Sequence, residues 1–435
     1  MNSVLWRRLC LGMALSLLIS TVAQAKPAVV VPVTQEPLSD SALDVLARSR
    51  PSIVQIRGFF GKNSAQAFHG TGFAVAPGGV FLTNYHVVAE QVMFPEKYRL
   101  EYRTPEGKTG LITVLAIDVR HDLAVVRAEG FAPPPLTLTN TIPVKGARAY
   151  SIGFPLDVGL TITEGVANGR VEDSFDARIH YSGALNGGMS GGPALNSSGQ
   201  VFGINVAGYR FEQLVSFLVP AEHAKALLQR AQQQPLSLKD AKGEVVNQLR
   251  AHATELLGAF QGPLATQQTS GFILPGKLSS FVDCNASGDP SPNQPVQTEA
   301  IQCAAKAGLY VQEGLYSGDM TYQHFILTTE TLDSLRFTKR LQKIAAASGR
   351  HGSKKHVGPL TCKNSNVKLQ GFDANLLICT RSYRKLEGLY DFTVRVVSLD
   401  NAKRGFASHL DMNGVDFDAG MRFVRRYVET MQWKP

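Results

Sequence analysis

Short apolar runs separated by turn residues fill the chain between Ser52 and Val219. Each run is rich in β-branched or aromatic residues, and Gly, Pro or Asn separates it from the next. Many short runs at fairly even spacing are typical of an all-β barrel or sandwich. The clearest predicted strands are Ile53–Ile56, Thr71–Val75, Val80–Thr83, Leu111–Ile117, Leu123–Arg127, Ala149–Ile152, Thr161–Val166 and Val201–Val206. The proline run Pro133–Pro135 lies near their midpoint and indicates two β-halves joined by a crossing linker.

The pattern changes on both sides of this β region. Before it, Ser41–Arg48 predicts one short helix that ends ahead of Pro51. After it, apolar residues take helical spacing in Ala221–Gln233 and again from Ser237 to about Phe260. The remainder mixes both element types, with strands expected at Leu376–Ser382 and Asp391–Val397 and helices at Thr331–Ala347 and Asp416–Trp433.

These changes divide most of the chain into two parts. A length of 435 residues is comfortable for two domains, and an apolar fraction of 44% is ample for their cores. We predict an all-β domain over residues 41–232 and a separate α+β domain over 237–435. The sequence does not indicate the role of the second domain.

The first 25 residues have the layout of a secretion signal. Arg7 and Arg8 precede the apolar run Cys10–Val22, and Ala23–Ala25 supplies small residues for cleavage. This run is too short for a good membrane span. We expect general secretion, with twin-arginine export as the alternative, and a product in the periplasm or outside the cell. Residues 26–40 contain three prolines and predict an extended linker.

Four cysteines remain once a signal peptide carrying Cys10 is removed, and all four lie in the last third of the chain: Cys284, Cys303, Cys362 and Cys379. An even number of cysteines in an exported chain favours disulfides. Three connectivities are open, and we prefer the two local pairs, Cys284–Cys303 and Cys362–Cys379. Tighter paired spacing would be needed for a metal site.

The net charge of +9 is spread thinly along the chain. Its densest basic patch, Arg350–His356, contains Gly and Ser and no aromatic residue. This composition indicates a solvated loop rather than a nucleic-acid surface. We expect no nucleic-acid partner and no stable membrane span, and the sequence leaves the oligomeric state open.

Three short stretches each contain one candidate catalytic residue: a base, an acid and a nucleophile, in that order along the chain. They are Thr83–Val88 with His86, His121–Val126 with Asp122, and Gly187–Pro193 with Ser190. A serine hydroxyl is a poor nucleophile at neutral pH, so it needs an imidazole to take its proton and a carboxylate to orient that imidazole. We therefore predict that His86, Asp122 and Ser190 form a catalytic triad.

The glycines around Ser190 suit a turn that exposes the hydroxyl and converges backbone amides. We predict that the amides of Gly188 and Ser190 form an oxyanion hole. The motif Gly-x-Ser-x-Gly over residues 188–192 also fits the nucleophile elbow of α/β-hydrolases. That fold needs a helix after the serine, with the acid and the histidine later in the chain. Here a strand is expected next, and His86 and Asp122 both precede Ser190.

Other acids and bases are weaker candidates. Asp118 is the rival acid, but Asp122 heads an apolar strand, where an unpaired carboxylate would be costly to bury. His69, His121 and His180 are rival bases without a comparable setting. We expect His69 to line the cleft.

The residues of these motifs resemble those of the chymotrypsin/trypsin clan, and within it those of the HtrA/Deg branch. The matching stretches are Thr83–Val88, Asp122–Val125, Ile152–Pro155, Thr163–Gly165 and Gly203–Ala207. The resemblance covers roughly residues 41–232. It implies two perpendicular six-stranded barrels, with His86 and Asp122 on the first, Ser190 on the second, and a substrate cleft between them.

Two departures from the HtrA/Deg pattern stand out. Met189 occupies the position where these chains usually carry Asn and trypsin-like zymogens carry Asp. Methionine cannot pair with a newly cut N-terminus, so we expect no activation by N-terminal insertion. The C-terminal half also lacks a recognisable PDZ domain.

Together, the signal peptide, the three stretches and the resemblance predict an exported serine endopeptidase that acts on unfolded or extended polypeptides and needs no metal or organic cofactor. The positions matching the clan's specificity pocket are Ala184, Leu185, Val206, Ala207 and Gly208. None is charged, so we expect cleavage after small or aliphatic residues. Two alternatives stay open: a binding or chaperone-like protein on a peptidase scaffold, and an esterase of the same clan.

Overall fold

The computed structural model describes residues 40–208, 215–289, 291, 293–346, 353–399 and 403–434. The predicted signal peptide and the predicted linker up to residue 39 lie outside the described residues, as does the start of the basic patch Arg350–His356. Residues 40–434 belong to one compact unit. Among the described residues, no helix combines the length and apolar character that crossing a membrane requires.

A helix and a closed antiparallel barrel begin the described chain. Helix α1 spans Asp40–Ser49, close to the prediction, and helix α2 spans Tyr85–Met93. The barrel strands are β1 (Ile53–Phe60), β2 (Gln66–Ala76), β3 (Val80–Thr83), β4 (Tyr98–Arg103), β5 (Thr109–Asp118) and β6 (Leu123–Ala128). They close in the order β1-β2-β3-β6-β5-β4.

A second closed barrel follows the proline-rich connection. Its strands are β7 (Ala147–Gly153), β8 (Thr161–Arg170), β9 (Ile179–Tyr181), β10 (Pro193–Leu195), β11 (Val201–Gly208) and β12 (Ser216–Pro220). They close in the order β10-β11-β12-β9-β8-β7. Two six-stranded barrels confirm the predicted fold class. Inward-facing apolar side chains fill both, as alternation along a strand requires.

The C-terminal region contains helices on several sheets. Its helices are α3 (Ala221–Gln233), α4 (Ala241–Gly258), α5 (Ser334–Ala345) and α6 (Phe417–Glu429). Its strands are β13 (Thr266–Thr269), β14 (Phe272–Pro275), β15 (Val282–Gly288), β16 (Gln297–Ala305), β17 (Leu309–Gln312), β18 (Leu315–Ser317), β19 (Met320–Thr328), β20 (Thr361–Leu369), β21 (Phe372–Ser382), β22 (Tyr390–Ser398), β23 (Arg404–Val415) and β24 (Gln432–Trp433). A seven-stranded sheet has the order β15-β16-β19-β23-β22-β21-β20, while β17 and β18 form a separate hairpin.

The predicted helices and strands of this region are present with shifted ends. Helix α3 has the predicted bounds, whereas α4 begins at Ala241 rather than Ser237. Helix α6 begins after Asp416, whose carboxylate caps it by accepting the amide of Ala419 at 3.0 Å. It ends at Glu429 rather than Trp433, because Gln432–Trp433 pairs with β14 as a strand.

Both preferred cysteine pairs are disulfide-bonded in the structure. Cys284 and Cys303 face each other across β15 and β16, and Cys362 and Cys379 across β20 and β21. Each bond therefore joins register partners on neighbouring strands.

A continuous apolar core joins the first barrel to the C-terminal region. Val88 and Val92 of α2 belong to the same buried cluster as Leu249 of α4 and as Val311 and Leu315 of the hairpin. The predicted domain boundary near residues 232–237 stays a prediction, and this core crosses it.

A buried hydrogen bond reinforces that junction. The Tyr85 hydroxyl donates to the Val311 carbonyl at 2.8 Å, and Tyr85 is fully buried. We expect Tyr85→Phe to lower the free energy of unfolding by about 1–3 kcal/mol, because it leaves a buried carbonyl without its donor. Denaturant unfolding measures the loss.

Tyr102→Phe is the matched control for this prediction. Its hydroxyl donates to the Glu129 carbonyl at 3.0 Å within the first barrel, so its removal leaves the junction intact. If limited proteolysis separates the two regions no faster in Tyr85→Phe than in Tyr102→Phe, the bond does not hold them together.

Candidate active site

Two short hydrogen bonds fix His86 to Asp122. The Asp122 carboxylate accepts from His86 Nδ1 at 2.7 Å with one oxygen and from the His86 backbone amide at 2.9 Å with the other. His86 lies in the first turn of α2, just after β3. An amide in a first helical turn has no partner within the helix, so it is free to bind this carboxylate.

The backbone of Asp122 is held in an unusual conformation. Its φ is +55°, in the left-handed region that aspartate and asparagine tolerate better than most residues. The Asn84 side-chain amide donates to the Asp122 carbonyl at 2.7 Å and so holds this turn from the opposite strand end. Asn84 is thus a positioning residue, which the sequence reading treated only as part of a motif.

Ser190 lies on a glycine-rich turn of the second barrel, between β9 and β10. Its hydroxyl donates to the Val206 carbonyl at 2.6 Å. Within the described residues, no hydrogen bond joins this hydroxyl to His86. Catalytic hydrogen bonds of resting sites often form only when substrate binds, so this arrangement is compatible with the predicted triad.

The first barrel holds the turn around Ser190 through Thr71 of β2. The Thr71 amide donates to the Ser190 carbonyl at 2.8 Å, and the Thr71 hydroxyl donates to the Gly188 carbonyl at 2.7 Å. The same hydroxyl accepts the Phe154 amide at 3.1 Å. No local pattern indicates this role, because Thr71 lies within an ordinary predicted strand.

Two amides of the turn are free to bind an anion. The Gly187 carbonyl accepts the Leu156 amide at 2.8 Å, and the Met189 carbonyl accepts the Gly192 amide at 3.0 Å. Across a planar trans peptide, the N–H points opposite to the carbonyl, so these bonds aim the amides of Gly188 and Ser190 the other way. In the described part of the chain, neither amide donates to a protein acceptor.

Gly188 is confined by its neighbours. Its φ is +100°, and a Cβ at this position would collide with the Phe154 carbonyl and lie 2.5 Å from His69 Nε2. The position therefore requires glycine on grounds of both conformation and space. His69, which we expected at the cleft, packs against this turn.

Part of this chain is similar to a known domain family. Residues 70–204 match the family model described as "Trypsin-like peptidase domain". This segment is similar to a trypsin-like peptidase domain. It contains His86, Asp122 and Ser190, and no PDZ domain was found among the family matches.

Curated relatives of the peptidase domain are serine proteases of the HtrA/DegP type. A probable periplasmic serine endoprotease, DegP-like, from Chlamydia pneumoniae is 37% identical over 150 residues, 33% of this chain and 30% of that protein. The mitochondrial serine protease HTRA2 of Bos taurus is 30% identical over 203 residues, 43% of each chain. The chain thus spans less than half the length of these relatives.

Solved structures give weaker similarity. The serine endoprotease from Yersinia pestis is 22% identical, with a TM-score of 0.39, over 45% of this chain and 67% of the other. The active form of the Rv3671c protease from M. tuberculosis is 24% identical, with a TM-score of 0.40, over 45% of this chain and 87% of the other.

The predicted pocket positions precede and follow the turn around Ser190 in the sequence. Ala184 is exposed, and Leu185 and Val206 are half-buried. Ala207 and Gly208 end β11, and the side chain of Ala207 lies outside what the structure describes. None of these five residues carries a charge.

The rival acid and bases are engaged elsewhere. Asp118 accepts from His121 Nδ1 at 2.9 Å, and the His121 ring stacks on His223 at 3.8 Å between centroids. His180 packs against Phe217 on the neighbouring strand. Asp118 therefore has its own histidine, and only Asp122 is bonded to His86 among the described carboxylates.

Two further residues at the site were missed by sequence reasoning. Asn205 is fully buried, and its side chain links Ser151, Ile152 and Met189 beneath the turn. Tyr310 reaches His86 from the C-terminal region, with 6.0 Å between ring centroids. The Tyr310 contact joins positions more than 200 residues apart, so no local pattern could have indicated it.

Opposing effects set the pKa of His86. Burial lowers it, but the charge of Asp122 and the hydrogen bond to its carboxylate outweigh burial, and the net pKa lies above the usual 6.5. Because the His86 pKa is higher in the folded state than in the unfolded state, protonated His86 adds to the free energy of unfolding. This contribution is complete below the unfolded-state pKa near 6.5 and is lost as the pH rises through the folded-state pKa.

The pKa of His86 is directly measurable. We expect imidazole NMR titration of the Ser190→Ala protein to give a His86 pKa above 6.5. Asp122→Asn removes the negative charge, the larger raising effect, and leaves burial, so its His86 pKa should fall below that value. Equal values in the two proteins would refute this account of the electrostatics.

Proposed function

We propose that this protein is an exported serine endopeptidase with His86, Asp122 and Ser190 as its catalytic triad. Two features together carry the proposal. The imidazole of His86 is oriented by the Asp122 carboxylate, and the backbone amides of Gly188 and Ser190 donate to no acceptor in the described part of the protein. The relatives named as serine endoproteases and the trypsin-like domain support the reaction class. The periplasmic description of the DegP-like relative supports export.

The reaction begins when the Ser190 hydroxyl turns from the Val206 carbonyl towards His86. Its oxygen attacks the carbonyl carbon of the scissile peptide while His86 Nε2 takes the proton. Asp122 stabilises the imidazolium through the Nδ1–H bond, and the amides of Gly188 and Ser190 bind the oxyanion.

Collapse of this intermediate breaks the C–N bond, and His86 returns the proton to the leaving amine. An ester to Ser190 remains. Water then attacks the ester with His86 again as base, which releases the acid and restores the hydroxyl.

The substrate is an extended or unfolded polypeptide that lies as a strand beside residues 206–208 of β11. Ala184, Leu185, Val206, Ala207 and Gly208 form the specificity pocket. A cationic side chain there would be buried without a counter-charge, so small or aliphatic residues precede the cleaved bond.

A binding or chaperone-like function is the second candidate. It is favoured by one observation, that the Ser190 hydroxyl bonds to Val206 rather than to His86. An unfolded-protein degradation assay distinguishes the two.

We expect the wild-type protein to degrade casein and Ser190→Ala to lose at least about a thousandfold of that activity. Ser198→Ala, in the exposed turn before β11, is the control and should retain full activity. Peptide and ester substrates assayed side by side test the esterase alternative. If the wild type and Ser190→Ala bind casein equally and neither cleaves it, the binding function stands instead.

Adjacent glycines test the oxyanion turn. Gly188→Ala should lower kcat by about a hundredfold or more, since its Cβ displaces an amide that binds the oxyanion. Gly187→Ala is the matched control, because its Cβ would meet no atom within 4 Å. Equal kcat values for the two variants, measured on the same peptide, would remove the Gly188 amide from the mechanism.

A further inference from the structure

The hairpin β17–β18 is fixed against the helix that carries His86. Tyr85 donates to the Val311 carbonyl at 2.8 Å, and Glu90 of α2 accepts the Glu313 amide at 2.8 Å. Val311 is fully buried and Leu315 nearly so. The hairpin therefore belongs to the rigid surroundings of the site, although it comes from the C-terminal region.

Strand alternation turns two tyrosines of the hairpin to its opposite face. Tyr310 and Tyr316 are register partners, with ring centroids 5.5 Å apart and planes at 81°. Tyr310 is half-buried and meets the His86 ring edge-on at 6.0 Å. Tyr316 stands beside it with 59% of its surface exposed.

An aromatic pair with one exposed ring, next to the proposed catalytic base, has a direct chemical use. Aromatic rings offer large, rigid apolar surfaces and are enriched where proteins bind other chains. We propose that Tyr310 and Tyr316 form a specificity subsite that takes an apolar or aromatic side chain of the polypeptide substrate, at the second residue before the cleaved bond. This inference rests on the proposed endopeptidase function and deepens it.

Substrate geometry selects that position. Successive side chains of an extended chain point to opposite faces. The residue that is acylated points into the pocket of the second barrel, beside Leu185 and Val206. The residue before it therefore points away from Leu185 and Val206, and we assign it to the first-barrel side of the site, where Tyr310 contacts His86.

Charge in this neighbourhood narrows the preference further. Burial raises the pKa of Tyr310, and the negative charges of Glu90 and Glu313 raise it more, so the phenol stays neutral. The same two carboxylates repel an acidic substrate side chain. The subsite therefore favours Leu, Phe or Tyr and disfavours Asp and Glu.

Cleavage-site mapping of a denatured protein by mass spectrometry, with the full-length chain, tests the subsite. Wild type should show enrichment of apolar residues at the second position before the cut. Peptides that differ only there, Phe against Gly, then give the preference as a ratio of kcat/KM. We expect Tyr316→Ala and Tyr310→Ala to lower this ratio by about tenfold.

Three variants serve as controls. Tyr310→Phe and Tyr316→Phe keep the rings and should keep the preference. Leu335→Ala removes another exposed apolar side chain, 80% exposed on α5, and should change nothing. Labelling of Ser190 by a fluorophosphonate reports whether each variant retains a working nucleophile.

The outcomes separate the two proposals. An unchanged Phe/Gly ratio in both alanine variants, with normal labelling, overturns the subsite and leaves the peptidase. A wild type that neither cleaves nor labels overturns the endopeptidase function and the subsite with it. Loss of labelling in the alanine variants, with an unchanged ratio in the residual cleavage, shows that the tyrosines only support the fold and also overturns the subsite.

Discussion

The bond between Asp122 and His86 is the interaction on which the site depends. One carboxylate holds both the ring and the backbone of the histidine, at 2.7 and 2.9 Å. It therefore sets the tautomer of the imidazole and the place where α2 starts. The left-handed backbone conformation of Asp122 and the hydrogen bond from the Asn84 side chain to the Asp122 carbonyl hold that carboxylate in position. Burial alone would leave the imidazole a weaker base, and the negative charge reverses that effect.

The parts of this site predicted from sequence are those that local patterns encode. Apolar runs and turn residues defined the strands, and glycines marked the turn around Ser190. No local pattern indicated that His86 lies in a helix. Val87 and Val88 favour a strand locally, whereas the Asp122 carboxylate accepts the His86 amide in the first turn of α2 and so favours the helix. Thr71, Asn205 and Tyr310 act through contacts distant in sequence, which no single-chain pattern reveals.

The C-terminal region packs against the first barrel at the helix that carries His86. Its α4 and β17–β18 hairpin share one buried cluster with α2, so the helix that carries His86 packs together with both of them. The seven-stranded sheet and its two disulfides lie farther along the same chain. The part of the chain beyond the family match is thus structurally continuous with the candidate site.

Thr71 has a consequence for how the cleft can move. One residue of the first barrel grips the nucleophile turn at both Gly188 and Ser190. A rotation of one barrel against the other would pull on the same two residues whose amides we propose as the oxyanion hole. The separation of the two barrels and the geometry of the proposed anion site are therefore coupled, so a ligand that moved the barrels apart would also distort the proposed oxyanion hole.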